Sequence, residues 1–259
     1  MNRPISRFSF LTLLSLALTT GIAAFAAPPS ADYKPVMKDG WEILFNGKST
    51  DAWDLDPASG AWSIDPEGSL YVVKGGPNIF TKRRYCDYVL ELDYKIVSGK
   101  KSNSGVFIRT HNKQDEVNTG MEIQILDNAD YGESWDAMNS NGAIYDLVHP
   151  SLDANNPLGD WNHYKITAND SKIIVELNGK EICKADLNLW TEAGKNPDGH
   201  HNKFPYPIGA LPREGFIGLQ NYGGVPAWFR NIRIHPLSKR KPILTGQEPI
   251  KDVLKAPGK

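Results

Sequence analysis

Two short segments hold the side chains best suited to chemistry. Residues Met121–Asp127 read M-E-I-Q-I-L-D, so strand alternation puts Glu122 and Gln124 on one face and Ile123 and Ile125 on the other. Residues Ser104–Thr110 read S-G-V-F-I-R-T, and the same alternation places Arg109 with Phe107 and Gly105. An arginine fork, a carboxylate and an amide on adjacent strands would make a hydrogen-bonding platform for hydroxyl and carboxylate groups. Sugars need such directional polar groups beside flat aromatic faces. The simpler reading is a strand whose polar side is merely wet. A third segment, Gly215–Tyr222, reads G-F-I-G-L-Q-N-Y and aligns Gln220 and Tyr222 with Gly218, either as a groove floor or as a bulge.

The chain has 7 Trp and 10 Tyr, enough to supply stacking faces. Trp53, Trp135, Tyr145, Trp190, Tyr206 and Tyr222 fall in or beside expected loops, where each either meets a sugar ring or anchors the loop. Two acidic runs, Asp51/Asp54/Asp56 and Asp127/Asn128/Asp130, could ligate calcium or another divalent ion. Neither matches a defined loop motif, and Asp and Asn are ordinary turn formers, so no metal site and no cofactor is predicted. The histidines are scattered; His163 reads as structural, and His200-His201 has no carboxylate at ligand spacing. There is no GxSxG, P-loop or HExxH pattern.

These residues need a β scaffold. Helical periodicity is scarce, and short apolar runs alternate with turn chemistry. Strands are expected at Trp41–Phe45, Trp62–Asp65, Ser69–Val73, Tyr88–Ile96, Ser104–Thr110, Met121–Leu126, Asn162–Ala168, Lys172–Leu177, Lys180–Asp186, Gly215–Asn221 and Trp228–Pro236. Asn169-Asp170-Ser171 and Asn178-Gly179 bracket a meander, the Asn-Gly pair being a strong two-residue hairpin signal. Leu187–Leu211 reads as a long loop and Lys239–Lys259 as a polar tail. An all-β sandwich in one domain follows.

The N-terminus carries Arg3 and Arg7, then an uncharged apolar run ending in Ala24-Phe25-Ala26, which is the pattern of a cleaved secretory signal at 1–26. A membrane anchor is the alternative, but Thr19, Thr20 and Gly21 dilute the run. The expected location is periplasmic or secreted, with no membrane span after cleavage. Removing the two arginines turns 29 basic and 30 acidic residues into 27 and 30, a balance too mild for a nucleic-acid partner. An oxidising compartment would permit one bridge between Cys86 and Cys183; two buried thiols are favoured, and no spacing suits zinc.

Ordered motifs then point to a family. Leu44-Phe45-Asn46-Gly47-Lys48, Asn103–Arg109, Glu122–Asp127, Gly142-Ala143-Ile144-Tyr145, Gly159-Asp160-Trp161-Asn162, Asn178-Gly179, Asn196-Pro197-Asp198-Gly199, Gly215–Gln220 and Phe229–Ile232 resemble the 3-keto-disaccharide hydrolase domain family from about Asp39 to Pro236. The resemblance implies a concanavalin-A-like jelly roll spanning 39–237, with an arm at 27–38 and a tail at 238–259. It also implies cleavage of glycosides already oxidised to a ketone at sugar carbon 3. Such a ketone acidifies the hydrogen on carbon 2, and the resulting enolate expels the oxygen on carbon 1. That route needs a base, an oxyanion stabiliser and a proton donor rather than two flanking carboxylates. On this resemblance Glu122 would be the base, Arg109 and Gln124 the enolate stabilisers, Tyr145 the proton donor and Gln220 a hydroxyl ligand. Asn103 and Asp127 would orient the others or help hold an ion, with Tyr222 among the substrate contacts. Many relatives carry Asp-His where this chain has Asn221-Tyr222, a departure that keeps a non-catalytic carbohydrate-binding module as the alternative. A protein-interaction domain, with the polar strand face merely solvated, is the third reading.

Overall fold

The computed structural model describes residues 33–256. The export segment at 1–26 lies outside these described residues, as does most of the expected arm. Fourteen strands are present: β1 (Val36–Lys38), β2 (Trp41–Phe45), β3 (Trp53–Asp54), β4 (Trp62–Ile64), β5 (Leu70–Val72), β6 (Ile79–Thr81), β7 (Tyr88–Ile96), β8 (Asn103–Thr110), β9 (Met121–Leu126), β10 (Asn162–Asn169), β11 (Lys172–Leu177), β12 (Lys180–Asp186), β13 (Phe216–Leu219) and β14 (Ala227–Pro236). They form two antiparallel sheets of a jelly-roll sandwich. The larger runs β1-β2-β14-β7-β10-β11-β12, with β5 also on β14 and β4 on β5; the smaller runs β3-β6-β13-β8-β9.

Local chemistry explains the pairing. Asn178 and Gly179 both take positive φ, 51° and 79°, as a two-residue turn between β11 and β12 requires. Burial alternates strictly along β7, with Leu90, Leu92 and Tyr94 inside and Glu91, Asp93 and Lys95 outside. Against them pack Val106 and Ile108 of β8, Ile123 and Ile125 of β9, and Ile217 and Leu219 of β13. β8 and β9 depart from this pattern, since they are buried on both faces. Glu122 is 6% exposed and Gln124 4%, so their side of the sheet is not the solvated face that the simpler reading expects.

The remaining differences have local causes. β1, β3 and β6 are two- or three-residue strands outside the expected set. The C-terminal segment is no free tail. Glu214 accepts from the Ile243 and Leu244 amides, Arg240 pairs with Asp87, and Ile250 and Leu254 pack against the core. Cys86 and Cys183 are separate buried thiols.

Candidate active site

The register of the smaller sheet assembles the site. Gly105 of β8 lies opposite Gln124 of β9, and Phe107 lies opposite both Glu122 of β9 and Gly218 of β13. Residues in direct register share a face, so these five side-chain positions form one surface. The Glu122 carboxylate lies across Gly105, where an added Cβ would come within 2.1 Å of Oε1. The Gln220 backbone N–H donates to Gly105 O at 3.0 Å and the Gln220 backbone carbonyl accepts from Ser104 Oγ at 2.7 Å, which sets Gln220 on the opposite side of Gly105 from β9. Glu122, Gln124 and Gln220 thus surround one glycine.

The segment Gly142–Tyr145 runs along the free edge of β9. The Gly142 amide donates to Gln124 O, the Gln124 amide to Ala143 O, and the Tyr145 amide to Glu122 O, all near 3 Å. Tyr145 is therefore anchored beside Glu122 and is partly exposed. The long loop supplies a cation. Lys203 Nζ sits 4.2 Å from the centroid of the Tyr145 ring, and the Lys203 amide donates to Asp146 Oδ2 at 2.5 Å. Buried asparagines hold that loop in place. Asn196 Oδ1 accepts from Trp190 Nε1 at 2.8 Å and from Asn202 Nδ2 at 2.9 Å, and Asn196 Nδ2 donates to Asp146 O at 3.1 Å.

Electrostatics follow from this packing. Burial lifts the Glu122 carboxyl from its ordinary 4.5 to about 7. The positive charge of Lys203 opposes that rise, Glu116 adds to it, and the Gln220 amide opposes it. Lys203 is lowered by burial, against the pull of Glu122 and Asp146. Tyr145 is raised, first by burial and then by the charge of Glu122. Three oxygens on this face, Glu122 Oε1, Gln124 Oε1 and Gln220 Oε1, are buried without a hydrogen-bond partner. An acceptor left that way costs about 1–3 kcal/mol, so the face is built to receive donors, which the hydroxyls of a ligand would supply.

Not every expected residue joins the group. Arg109 does not lie on the platform. The register slips between Phe216 and Gly218, so β8 carries one extra residue, and Arg109 takes φ +50°. The bulge turns the arginine inward. It is 2% exposed, with Nη1 donating to Asp170 O, Nη2 to Cys86 O, and Asp87 Oδ1 at 3.5 Å. Gly215 accommodates this kink, since a Cβ there would meet the Arg109 backbone at 2.3 Å. Asp127 is also separate: it falls on the opposite parity from Glu122 and accepts from the Asp130 amide through Oδ1. Asn103 shares the parity of Gly105 but lies two residues farther along, half-buried and in register with Leu126 rather than with Gln124 or Glu122. Tyr222 is half exposed, with its phenol near that of Tyr145.

Of the aromatics, Trp53 and Trp190 are buried anchors bonded to Leu44 O and Asn196 Oδ1, whereas Trp135 stays exposed. Asp56 caps a short turn and Asp54 pairs with Lys113. Asn221 is a buried clasp: Nδ2 donates to Lys74 O, Oδ1 accepts from the Gly224 amide, and its own amide donates to Asn78 Oδ1. Asn78 in turn donates to Glu116, so this clasp fixes one of the charges acting on Glu122. The sequence offered no sign of Lys203, which lies in an aperiodic polar loop.

Residues 40–235 match the model of a family described as the 3-keto-alpha-glucoside-1,2-lyase-like domain. The 3-keto-disaccharide hydrolase of Bacteroides thetaiotaomicron is 26% identical over 238 residues, which span 78% of this chain and 80% of that protein. A crystal structure from Parabacteroides distasonis, provisionally assigned as a glycosyl hydrolase, is 36% identical with a TM-score of 0.68, covering 76% of this chain and 99% of that one. A second structure from the same organism, also provisionally assigned as a glycosyl hydrolase, shares the fold at 23% identity and a TM-score of 0.61, covering 79% and 99% of the two chains.

Proposed function

This chain belongs to the 3-keto-α-glucoside-1,2-lyase-like family, and from that premise we propose that it cleaves glycosides carrying a ketone at sugar carbon 3, with Glu122 as the base. The observation that carries the reading is the Glu122 carboxylate itself: buried over Gly105, Oε1 unpartnered, and raised to about 7. A general base works best with a pKa near the working pH.

In the proposed reaction Glu122 takes the proton from carbon 2, and the electron pair moves to the oxygen on carbon 3. The Lys203 ammonium and the Gln124 and Gln220 amides stabilise that enolate oxygen, the part first assigned to Arg109. The enolate then reforms the ketone, a double bond forms between carbons 1 and 2, and the bond from carbon 1 to the glycosidic oxygen breaks. Tyr145, held protonated by burial and by the neighbouring charges, gives the leaving oxygen its proton. Addition of water across the new double bond yields net hydrolysis. Export through residues 1–26 is part of the proposal, and a mature protein beginning at Ala27 by mass spectrometry of the exported fraction would support it.

The test is aglycone release from a 3-keto-glucoside. The wild-type chain should release it, with kcat/KM rising as pH passes about 7, where Glu122 ionises. Glu122→Gln should abolish release while leaving the fold intact. Turnover unchanged by that substitution sinks the base assignment, and sugar binding without any turnover would favour the binding-module reading.

A further inference from the structure

A cavity lies at the far end of β9. It has a volume of about 510 Å³ and is lined by Asp127, Glu133, Asp153, Asn155, Trp135 and Leu158 among others. Neither Glu122, Gln124, Tyr145, Lys203 nor Gln220 lines it. Leu126, on its wall, is four residues from Glu122 along the strand, or about 13 Å. The volume falls in the range of small-molecule sites, about 300–1,000 Å³.

Its chemistry is one-sided. Asp127 is 1% exposed and uses Oδ1 to accept from the Asp130 amide, which leaves the buried Oδ2 with no partner. Glu133 and Asp153 add two more carboxylates, and no lysine, arginine or histidine lines the cavity. One N–H of the Asn155 amide donates to Asp153, which leaves the other for a ligand. Asparagine amides on the wall, including Asn128 and Asn156, are neutral donors, so an anionic ligand would meet three carboxylates and no cation. The carboxylates are spread along the cavity rather than gathered: among the described residues, no group of three or more His, Cys, Asp or Glu is placed to hold a metal ion. The walls also present exposed apolar surface, with Trp135 40% and Leu158 41% exposed. The Trp135 backbone is fixed by Ser140 Oγ, which donates to its carbonyl at 2.7 Å.

We propose that this cavity is a second ligand site, separate from the Glu122 face, that binds an unmodified neutral pyranose. The sugar hydroxyls donate to Asp127 Oδ2 and the neighbouring carboxylates, and the CH-rich ring face stacks on Trp135. The site requires no ketone, so it stands apart from the reaction proposed above.

Isothermal titration of the full chain with glucose, galactose, N-acetylglucosamine and glucuronate, each in the presence of EDTA, tests this. At least one neutral sugar should bind and glucuronate should not. That binding should persist in Glu122→Gln and weaken at least tenfold in both Asp127→Asn and Trp135→Ala. Asparagine still caps the turn after residue 127, and Trp135→Ala alters an exposed side chain, so it decides the matter if the first variant misfolds. The proposal is overturned if no neutral sugar binds, if glucuronate binds equally, if binding appears only when calcium replaces EDTA, or if Glu122→Gln abolishes binding while Trp135→Ala leaves it intact.

Discussion

Replacing Glu122 with Gln should make the protein more stable and inactive together, and the gain should depend on pH in a fixed sense. The unfolded chain loses the Glu122 proton near the ordinary 4.5, while the folded chain keeps it to about 7. Between those values the unfolded state binds fewer protons, so wild-type stability falls as pH rises, and the whole penalty is present above about 7. The interval corresponds to about 3 kcal/mol, an upper figure, because water reaching the carboxylate would relieve part of it. Gln keeps the shape without the charge. The variant should therefore match wild type below pH 4.5 and gain progressively to about pH 7. At about 2–4 °C per kcal/mol for a chain of this size, the plateau is a Tm gap of up to about 6–12 °C. Paired thermal melts of both proteins across this pH range suffice, since titrations common to both cancel in the difference. A gap that stays flat with pH, or one that favours wild type at high pH, refutes the assignment of a buried, destabilising carboxylate.

Arg109→Met should lose about 1–3 kcal/mol in urea unfolding, because it removes the guanidinium donors from the Asp170 and Cys86 carbonyls while Asp87 keeps Arg240 and Ser238, and kcat/KM at low temperature should stay within a few-fold; a hundredfold fall in kcat at unchanged stability would restore Arg109 to the site. Gly105→Ala should lower kcat at least about a hundredfold by displacing the Glu122 carboxylate, and Tm should fall as well, because Cγ and Cδ at 2.8 Å and Oε1 at 2.1 Å must all shift within a buried position; unaltered kcat means Glu122 does not act from that position. Lys203→Met should cost about a hundredfold in kcat/KM and move the apparent pKa of the pH–rate profile upward, since the Lys203 charge holds Glu122 down; a downward move contradicts it. His163, raised chiefly by its hydrogen bond to Asp93, should stabilise the fold at pH values below its unfolded pKa and lose that contribution as pH rises through its folded pKa. His163→Ala should thus lower Tm below about pH 6 but not above about pH 8, with turnover unaffected; an equal Tm loss at both pH values would show the effect is packing alone.

Much of the sandwich was legible because its long strands carry their own period. The alternation of Tyr88–Ile96 and the Asn178-Gly179 turn each specify a local geometry that the global fold accepts. The pairing of Glu122 with Gln124 was legible for the same reason, since β9 runs without a slip from Met121 to Leu126. Parity also separates Asp127 from them, and its carboxylate accepts from the Asp130 amide instead. Arg109 was misread because alternation assumes an unbroken ladder, whereas the bulge beside it depends on how β13 meets β8. No local signal marks that meeting except Gly215, whose missing Cβ leaves room for the Arg109 backbone. Lys203 lies at the other extreme, placed by asparagine contacts between Trp190, Asn196, Asn202 and Asp146 that have no period at all.

The displaced arginine bears on how the site works. A guanidinium on β8 beside Glu122 would form a close ion pair and hold the carboxyl below its ordinary range, leaving it too weak a base at neutral pH. The bulge removes that partner to Asp170, Cys86 and Asp87. The cation that does act on Glu122 arrives from the long loop, over the rings of Tyr145 and Phe204 at 4.2 and 5.3 Å, and leaves Oε1 unpartnered. The Lys203 charge moderates the Glu122 carboxyl without bringing it back to its ordinary range. The proposed reaction, which abstracts a proton and then stabilises the resulting anion, would need both a base that no close cation pairs and a cation nearby, and under that proposal the bulge at Arg109 and the loop bearing Lys203 would supply them.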